Sequence, residues 1–170
     1  MNIYKLYPLL LHYLDVNDNK PIFEKSFYSI RVLESIPTGT TILTFLALDP
    51  DEGANGEVEY TLSKMSKNVY GSKLAVDRKK GTLYVVGFLD REHVPVYHLT
   101  VVAKDRGADS LSSEVSATVY VDDVNDNPPL ITVSTVSADR LEDVYPGTFL
   151  AHITVQDPDD GNNAKTTCSL

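Results

Sequence analysis

The hydrophobic pattern runs at period two for most of the chain's first two thirds. Tyr28, Ile30, Val32 and Glu34 alternate with Ser29, Arg31 and Leu33. Tyr97, Leu99, Val101 and Ala103 share one face, with His98, Thr100 and Val102 on the other. Val115, Ala117, Val119 and Val121 alternate with Ser116, Thr118 and Tyr120. Successive side chains of an extended strand point to opposite faces, so each set predicts a strand with one buried side. Shorter strands are expected near Ile42–Asp49, Val58–Leu62, Leu74–Val76 and Thr82–Val85. Pro37-Thr38-Gly39, Gly53-Ala54-Asn55-Gly56, Lys80-Gly81 and Gly107-Ala108-Asp109 supply turns between them. About seven short strands in about 100 residues, with no helical period, predict an all-β sandwich. A small β-barrel remains the alternative at this point.

The chain repeats itself. Asp15-Val16-Asn17-Asp18-Asn19-Lys20-Pro21 returns 108 residues later as Asp123-Val124-Asn125-Asp126-Asn127-Pro128-Pro129. Asp49-Pro50-Asp51 returns as Asp157-Pro158-Asp159, Gly39-Thr40 as Gly147-Thr148, and Leu33-Glu34 as Leu141-Glu142, at the same offset. One period shared by independent segments marks a tandem unit. The expected organisation is an N-terminal segment at 1–14, a remnant of a preceding unit, and a linker at 15–22. A complete unit follows at 23–122, then a linker at 123–129 and a partial second unit at 130–170. The partial unit has an open sheet edge, which invites pairing.

Most of the acids fall at strand ends and linkers. Residues two apart in extended chain share a side, so Asp49 and Asp51, Asp90 and Glu92, and Asp157 and Asp159 form same-side pairs. Like charges at such spacing repel unless a cation lies between them. The Asn and Asp side chains and the carbonyls of each Asp-Val-Asn-Asp-Asn run add hard oxygen donors. Such a set suits Ca²⁺, which takes roughly 6–8 oxygens, whereas Zn²⁺ favours nitrogen and sulfur. Taken singly, each of these residues is equally at home in a turn. An EF-hand fails on spacing: counted from Asp49, its glycine and glutamate positions hold Ala54 and Tyr60. Counted from Asp15 they hold Lys20 and Ser26, and from Asp157 Asn162 and Cys168. The donors must therefore converge from separate strands. Tyr60, Phe88 and Leu89 are expected in the core, His98 on a strand surface and Cys168 in a strand. Asp109, Glu57 and Glu59 are expected as surface charge.

Composition narrows the function further. The 170 residues carry a net charge of −9 with no basic cluster, which argues against nucleic acid and anionic membrane. The lone cysteine forbids an internal disulfide, and no apolar run is long enough to span a bilayer. The opening MNIYKLYPLLLHYL is broken by Pro8 and His12 and has no small-residue cleavage site, so it reads as a chain start rather than a secretory leader. No Asn-x-Ser/Thr acceptor occurs. There is no Gly-x-Ser-x-Gly, His-Glu-x-x-His or phosphate-cradling glycine loop, and no small-molecule substrate or catalysis is expected.

Five features occur here in one order, and three of them recur at the 108-residue period. They are the Asp-Val-Asn-Asp-Asn runs with their prolines, Leu89-Asp90-Arg91-Glu92, Ala103-Lys104-Asp105, the DPDEGANG run at 49–56 and a strand ending in Glu34. Over residues 15–170 the chain resembles tandem cadherin repeats. The resemblance implies seven-stranded Greek-key sandwiches with three Ca²⁺ ions at each junction. It implies calcium-dependent cell–cell adhesion, outside the cell, by a protein anchored in the plasma membrane. Partners would be other cadherin ectodomains, homophilic or heterophilic. The absence of tryptophan sets the chain apart from cadherins that swap a tryptophan strand, and the repeats look more like protocadherin or Fat/Dachsous types. A calcium-stiffened spacer or soluble fragment, or a calcium-free partner-binding sandwich, are the alternative readings.

Carried over by position, Glu34, Asp90, Glu92 and Asp126 would surround a first ion. Glu34, Glu92, Asp126, Asp159 and the Val124 carbonyl would hold a second. Asn125, Asp157, Asp159 and the carbonyls of Asn127 and Asn163 would hold a third. At the first junction, Asn17, Asp18, Asp49, Asp51, Asp105 and the carbonyls of Asn19 and Asn55 could hold at most one ion.

Overall fold

Two long strands organise the molecule: β8 (Val96–Lys104) and β9 (Ser112–Asp122) form an antiparallel hairpin registered from Val96↔Tyr120 to Lys104↔Ser112. This register puts Tyr97, Leu99, Val101 and Ala103 beside Val115, Ala117, Val119 and Val121, and all eight are buried. The computed structural model describes residues 15–135, 145, 147, 149 and 151–169. The expected segment 1–14 and the repeat positions Leu141, Glu142 and Thr148 lie outside them.

The preceding elements are β1 (Ile22–Phe23), β2 (Phe27–Leu33), β3 (Thr41–Thr44), β4 (Ala47–Leu48), β5 (Glu59–Leu62), α1 (Lys64–Tyr70), β6 (Leu74–Val76) and β7 (Thr82–Val85). One sheet runs β2-β9-β8-β5, with β2 parallel to β9. The facing sheet runs β3-β7-β6, and β1 pairs with β4. The sheets are separate, so the seven strands make a sandwich and not a closed barrel. Ile42, Leu74, Leu83 and Val85 of the second sheet, with Phe45 just past β3, close on the hairpin's apolar face. Tyr28 meets Phe45 edge-on at 4.9 Å between ring centroids, and Tyr70 meets Tyr97 at 5.2 Å.

Four expectations need correction. Helix α1 was not anticipated, because seven residues with Ser66 alone buried carry no helical period. It is set by its ends: the Ser63 hydroxyl accepts from the Ser66 N–H at 3.2 Å, and the Gly71 N–H donates to the Lys67 carbonyl at 2.9 Å. The strand expected over 42–49 divides, since β3 pairs with β7 and β4 with β1. At the switch Phe45 turns inward and donates its N–H to the Gly81 carbonyl at 2.8 Å. Gly81 has φ +65°, and a Cβ there would lie 2.5 Å from the Phe45 carbonyl oxygen, so only glycine fits. Phe88 is not core: it is 81% exposed while its neighbour Leu89 is buried, as adjacent residues of an extended segment face opposite ways. Cys168 is exposed and lies in no strand.

Past residue 122 the chain forms β10 (Leu130–Thr135) and β11 (Ala151–Gln156), paired antiparallel. Leu130↔Gln156 and Ile131↔Val155 repeat Ile22↔Leu48 and Phe23↔Ala47 at the 108-residue offset. The repeat seen in sequence is thus a repeat of strand pairing. In the first unit the chain then leaves β4 to join β9, whereas β10 stays with β11 as far as Thr135↔Ala151. Leu130, Ile131, Val133 and Ile153 are exposed on this pair.

Candidate metal-binding junctions

Glu34 follows β2 on the strand's inward face, which turns the carboxylate into the end of the sandwich, only 6% exposed. Its Oε2 accepts the Arg91 N–H and its Oε1 the Val124 N–H, both at 2.8 Å. One carboxylate thereby ties the 89–92 loop to the linker. Asp90 holds the same loop from below, its Oδ1 accepting the His93 N–H at 2.9 Å.

Carboxylate oxygens of Glu34, Asp90 and Glu92 lie within 4.8 Å of one another, as do those of Glu92, Asp123 and Asp159. Glu34, Asp90, Glu92, Asp126 and Asn127 line one cavity of about 330 Å³. The Asn127 amide donates to Asp126 Oδ1 and Asp159 Oδ1, both at 2.8 Å, and the Asp159 N–H donates to Asp157 Oδ1 at 3.1 Å. Asn125 is exposed in the linker, and no hydrogen bond engages its side chain among the described residues. Asn163 lends its side-chain amide to Asp123 Oδ2 at 2.7 Å.

The first junction repeats much of this scheme. Asn19 donates from its backbone to Asp51 Oδ2 at 3.1 Å and from its amide to Asp51 Oδ1 at 2.5 Å and Asp18 Oδ1 at 2.7 Å. The Asp51 N–H donates to Asp49 Oδ1 at 3.1 Å. Asn17 donates to Asp105 Oδ1 at 3.2 Å. Gly107 has Asn17 and Asn55 so close that a Cβ would sit 2.4 Å from Asn17 Nδ2 and 2.6 Å from Asn55 Oδ1. Among the described residues, the groups of three converging carboxylates lie at the second junction.

Two residues were missed. Asp15 Oδ2 accepts the Glu52 N–H at 3.0 Å and the Asn55 amide at 2.9 Å. Asp123 Oδ2 accepts the Asp160 N–H at 3.2 Å and the Asn163 amide. The signal for both was the leading Asp of each repeated linker motif. Glu57 and Glu59 are surface charges as expected, paired with Arg106, and Glu59 also with Arg78.

Oxygen atoms without partners mark both junctions. Of five buried side-chain polar atoms lacking a hydrogen bond among the described residues, four are Asn17 Oδ1, Asp49 Oδ2, Asp123 Oδ1 and Asp159 Oδ2. An orphaned buried acceptor costs about 1–3 kcal/mol unless something fills it. All four are hard oxygens of the linkers or the Asp-Pro-Asp runs, the chemistry a calcium ion takes.

The charges strain one another. Desolvation, then the Glu34, Asp159, Asp123 and Asp90 carboxylates, pushes Asp126 above the usual carboxylate range. Desolvation also raises Glu92, helped by Asp123 and Glu34 and opposed by a backbone hydrogen bond. Asp123 goes the other way: desolvation raises it, but the Asn163 amide, the Asp160 N–H, Glu92 and Arg91 outweigh that and hold it low. Glu92 and Asp126 thus bind protons more tightly folded than unfolded, and their contribution to stability is lost as pH rises through their folded values. In chelator the melting midpoint should therefore rise as the pH is lowered into the range where these two raised carboxyls take up protons. A midpoint that falls throughout that acidification would contradict this.

Residues 28–122 match the Cadherin domain family. Protocadherin alpha-7 of Mus musculus is 40% identical over 162 residues, which cover 95% of this chain and 17% of that protein. Protocadherin gamma-C3 of Homo sapiens is 39% identical over 163 residues, covering 96% and 18%. The chain therefore spans under a fifth of the length of these relatives. Among solved structures, protocadherin gamma B7 extracellular cadherin domains 1–4 superpose with a TM-score of 0.81 at 38% identity, covering 92% of this chain and 37% of that one. Mouse cadherin-23 EC22–24 gives a TM-score of 0.74 at 32% identity, covering 89% and 47%. The chain belongs to the cadherin family, and its sandwich is of the kind found in protocadherin ectodomains.

Proposed function

We propose that this chain is a calcium-dependent segment of a cell-surface adhesion ectodomain, in which the linker at 123–129 becomes stiff when Ca²⁺ is bound. The observation that carries the reading is the set of orphaned oxygens, four of five at the two junctions among the described residues. At the second junction Glu34, Asp90, Glu92, Asp123, Asp126, Asp157 and Asp159 would hold the ions, with Asn125 and the carbonyls of Val124, Asn127 and Asn163. At the first, Asn17, Asp18, Asp49, Asp51 and Asp105 would serve, with the carbonyls of Asn19 and Asn55.

When bound, calcium supplies the positive charge that this cluster lacks. The chain's own residues do the positioning. Glu34 fastens loop 89–92 to the linker by two backbone N–H groups. Asn127 bridges Asp126 to Asp159 and so couples the linker to the second unit. Without counter-charge, the carboxylates repel and drive the units apart. The parent protein would sit at the plasma membrane, and its partners would be other cadherin ectodomains, homophilic or heterophilic.

The test is a thermal melt in chelator and again in about 1–2 mM Ca²⁺, since extracellular calcium modules bind at roughly 10⁻⁴–10⁻³ M. One site filled at tenfold excess adds about 1.4 kcal/mol. That corresponds to a rise in midpoint of about 6–11 °C for a unit of this size. A rise that Mg²⁺ does not reproduce is expected, and equal midpoints in chelator and calcium would overturn the reading.

A further inference from the structure

The loop at 49–56 and its repeat at 157–164 differ in one chemical respect. Asn55 is followed by Gly56, whereas Asn163 is followed by Ala164. An Asn side chain is a latent electrophile, because the backbone nitrogen of the next residue can attack its Cγ. A following glycine favours that attack, since it has no Cβ in the way and reaches backbone conformations closed to other residues. The fold keeps the reactive pair in place, because a Cβ on Gly56 would collide with the Asp51 carbonyl oxygen.

Asp15 restrains the reaction. The Asn55 amide donates to Asp15 Oδ2 at 2.9 Å and to the Asp15 carbonyl at 3.3 Å. On its other side, Asn55 Oδ1 lies so close to Gly107 that a Cβ there would sit 2.6 Å from it. Asn163 has the matching restraint, its amide donating to Asp123 Oδ2 at 2.7 Å. The two asparagines are therefore held alike and differ in the residue that supplies the nucleophile. Asp15 is itself exposed, so its grip opens wherever the linker lifts from the loop.

We propose that Asn55 is a self-modification site, whose amide converts to a carboxylate when Asp15 releases it. The Gly56 nitrogen attacks Asn55 Cγ. The new N–Cγ bond forms, the Cγ–Nδ2 bond breaks, and ammonia leaves carrying the proton that Gly56 gave up. One water then opens the cyclic imide at either carbonyl. The product is an aspartate, or its isomer whose backbone runs through the former side chain. Water is the only co-reactant, and no electrons change hands. An amide that donated to Asp15 thereby becomes a carboxylate facing Asp15, and the like charges repel. The conversion is one-way, so the first junction keeps a record of how long its linker has been loose.

The experiment incubates the full chain in chelator and mildly alkaline buffer, and follows positions 55 and 163 by peptide mass spectrometry. Asn55 is expected to gain the mass of an amide-to-carboxylate exchange, and Asn163 to stay an amide over the same time. Asp15→Ala should speed conversion of Asn55 several-fold, whereas Asp15→Asn, which keeps an acceptor oxygen, should stay near the parent rate. Ala164→Gly should make Asn163 convert as well, a gain that a loss of the linker contact at Asp15 could not produce. In urea the parent and both Asp15 variants should convert Asn55 at one common rate, faster than the folded parent. An Asn55 that stays an amide, a rate unchanged in Asp15→Ala, or an Asn163 that stays inert in Ala164→Gly would each overturn the proposal. All of this is read without calcium, so a failure of calcium binding would leave the outcome untouched.

Discussion

Glu34→Ala is expected to abolish the calcium-induced rise in melting midpoint, reducing it from about 6–11 °C to under about 2 °C. Glu34 is proposed as a ligand of both of the first two ions, and its carboxylate is the buried member of the converging group with Asp90 and Glu92. The substitution also leaves the Arg91 and Val124 N–H groups without their acceptor. Each unmet buried donor costs about 1–3 kcal/mol, though both lie near solvent and water recovers part of this. Against that loss, removing one negative charge relieves Asp90, Glu92 and Asp126. The net expectation in chelator is a loss of about 2 kcal/mol, present without calcium and separate from the lost calcium response. Glu34→Gln separates the two effects, because it keeps an oxygen for one N–H but removes the charge. Melts in chelator and calcium decide the matter, and a Glu34→Ala chain that keeps the full calcium response would contradict the role given to this residue.

Asp105→Ala should destabilise the chain with or without calcium, by about 3–5 kcal/mol. Asp105 is 3% exposed at the end of β8, where the hairpin turns toward β9. Its Oδ1 accepts the Gly107 N–H at 2.8 Å and the Asn17 amide at 3.2 Å, and its Oδ2 accepts the Leu111 N–H at 2.7 Å. One carboxylate therefore closes the turn of the longest hairpin and anchors the N-terminal linker to it. Asp105→Asn should lose less, since Oδ1 keeps two donors while the new amide faces the Leu111 N–H. Urea unfolding in chelator measures this, with the midpoint lowered and the slope unchanged. A midpoint within experimental error of the parent chain would show that Asp105 matters only as a ligand.

The strands legible in the sequence are those whose alternation is long enough to declare itself. Strands β8 and β9, with nine and eleven residues, were read with their faces correct. Two-residue strands such as β1 leave no period, and a seven-residue helix capped by Ser63 leaves little more. The break between β3 and β4 depends on Gly81, some 36 residues away, and no local pattern reveals it. Phe88 was misplaced because hydrophobicity does not say which of two adjacent residues points inward.

The candidate site was legible for another reason: its linker and Asp-Pro-Asp acids recur at one spacing, and a motif that repeats in step with the fold marks a junction. Asp15 and Asp123 shared that spacing and were overlooked in favour of the later residues of the same motif.

The most direct measurement is a calcium-binding isotherm of the full chain by equilibrium dialysis at pH 7. The account predicts more than one ion bound per chain, with half-saturation at roughly 10⁻⁴–10⁻³ M, and a reduced count for Glu34→Ala. No saturable binding up to about 10 mM, or binding that Glu34→Ala and Asp126→Ala leave intact, would contradict it.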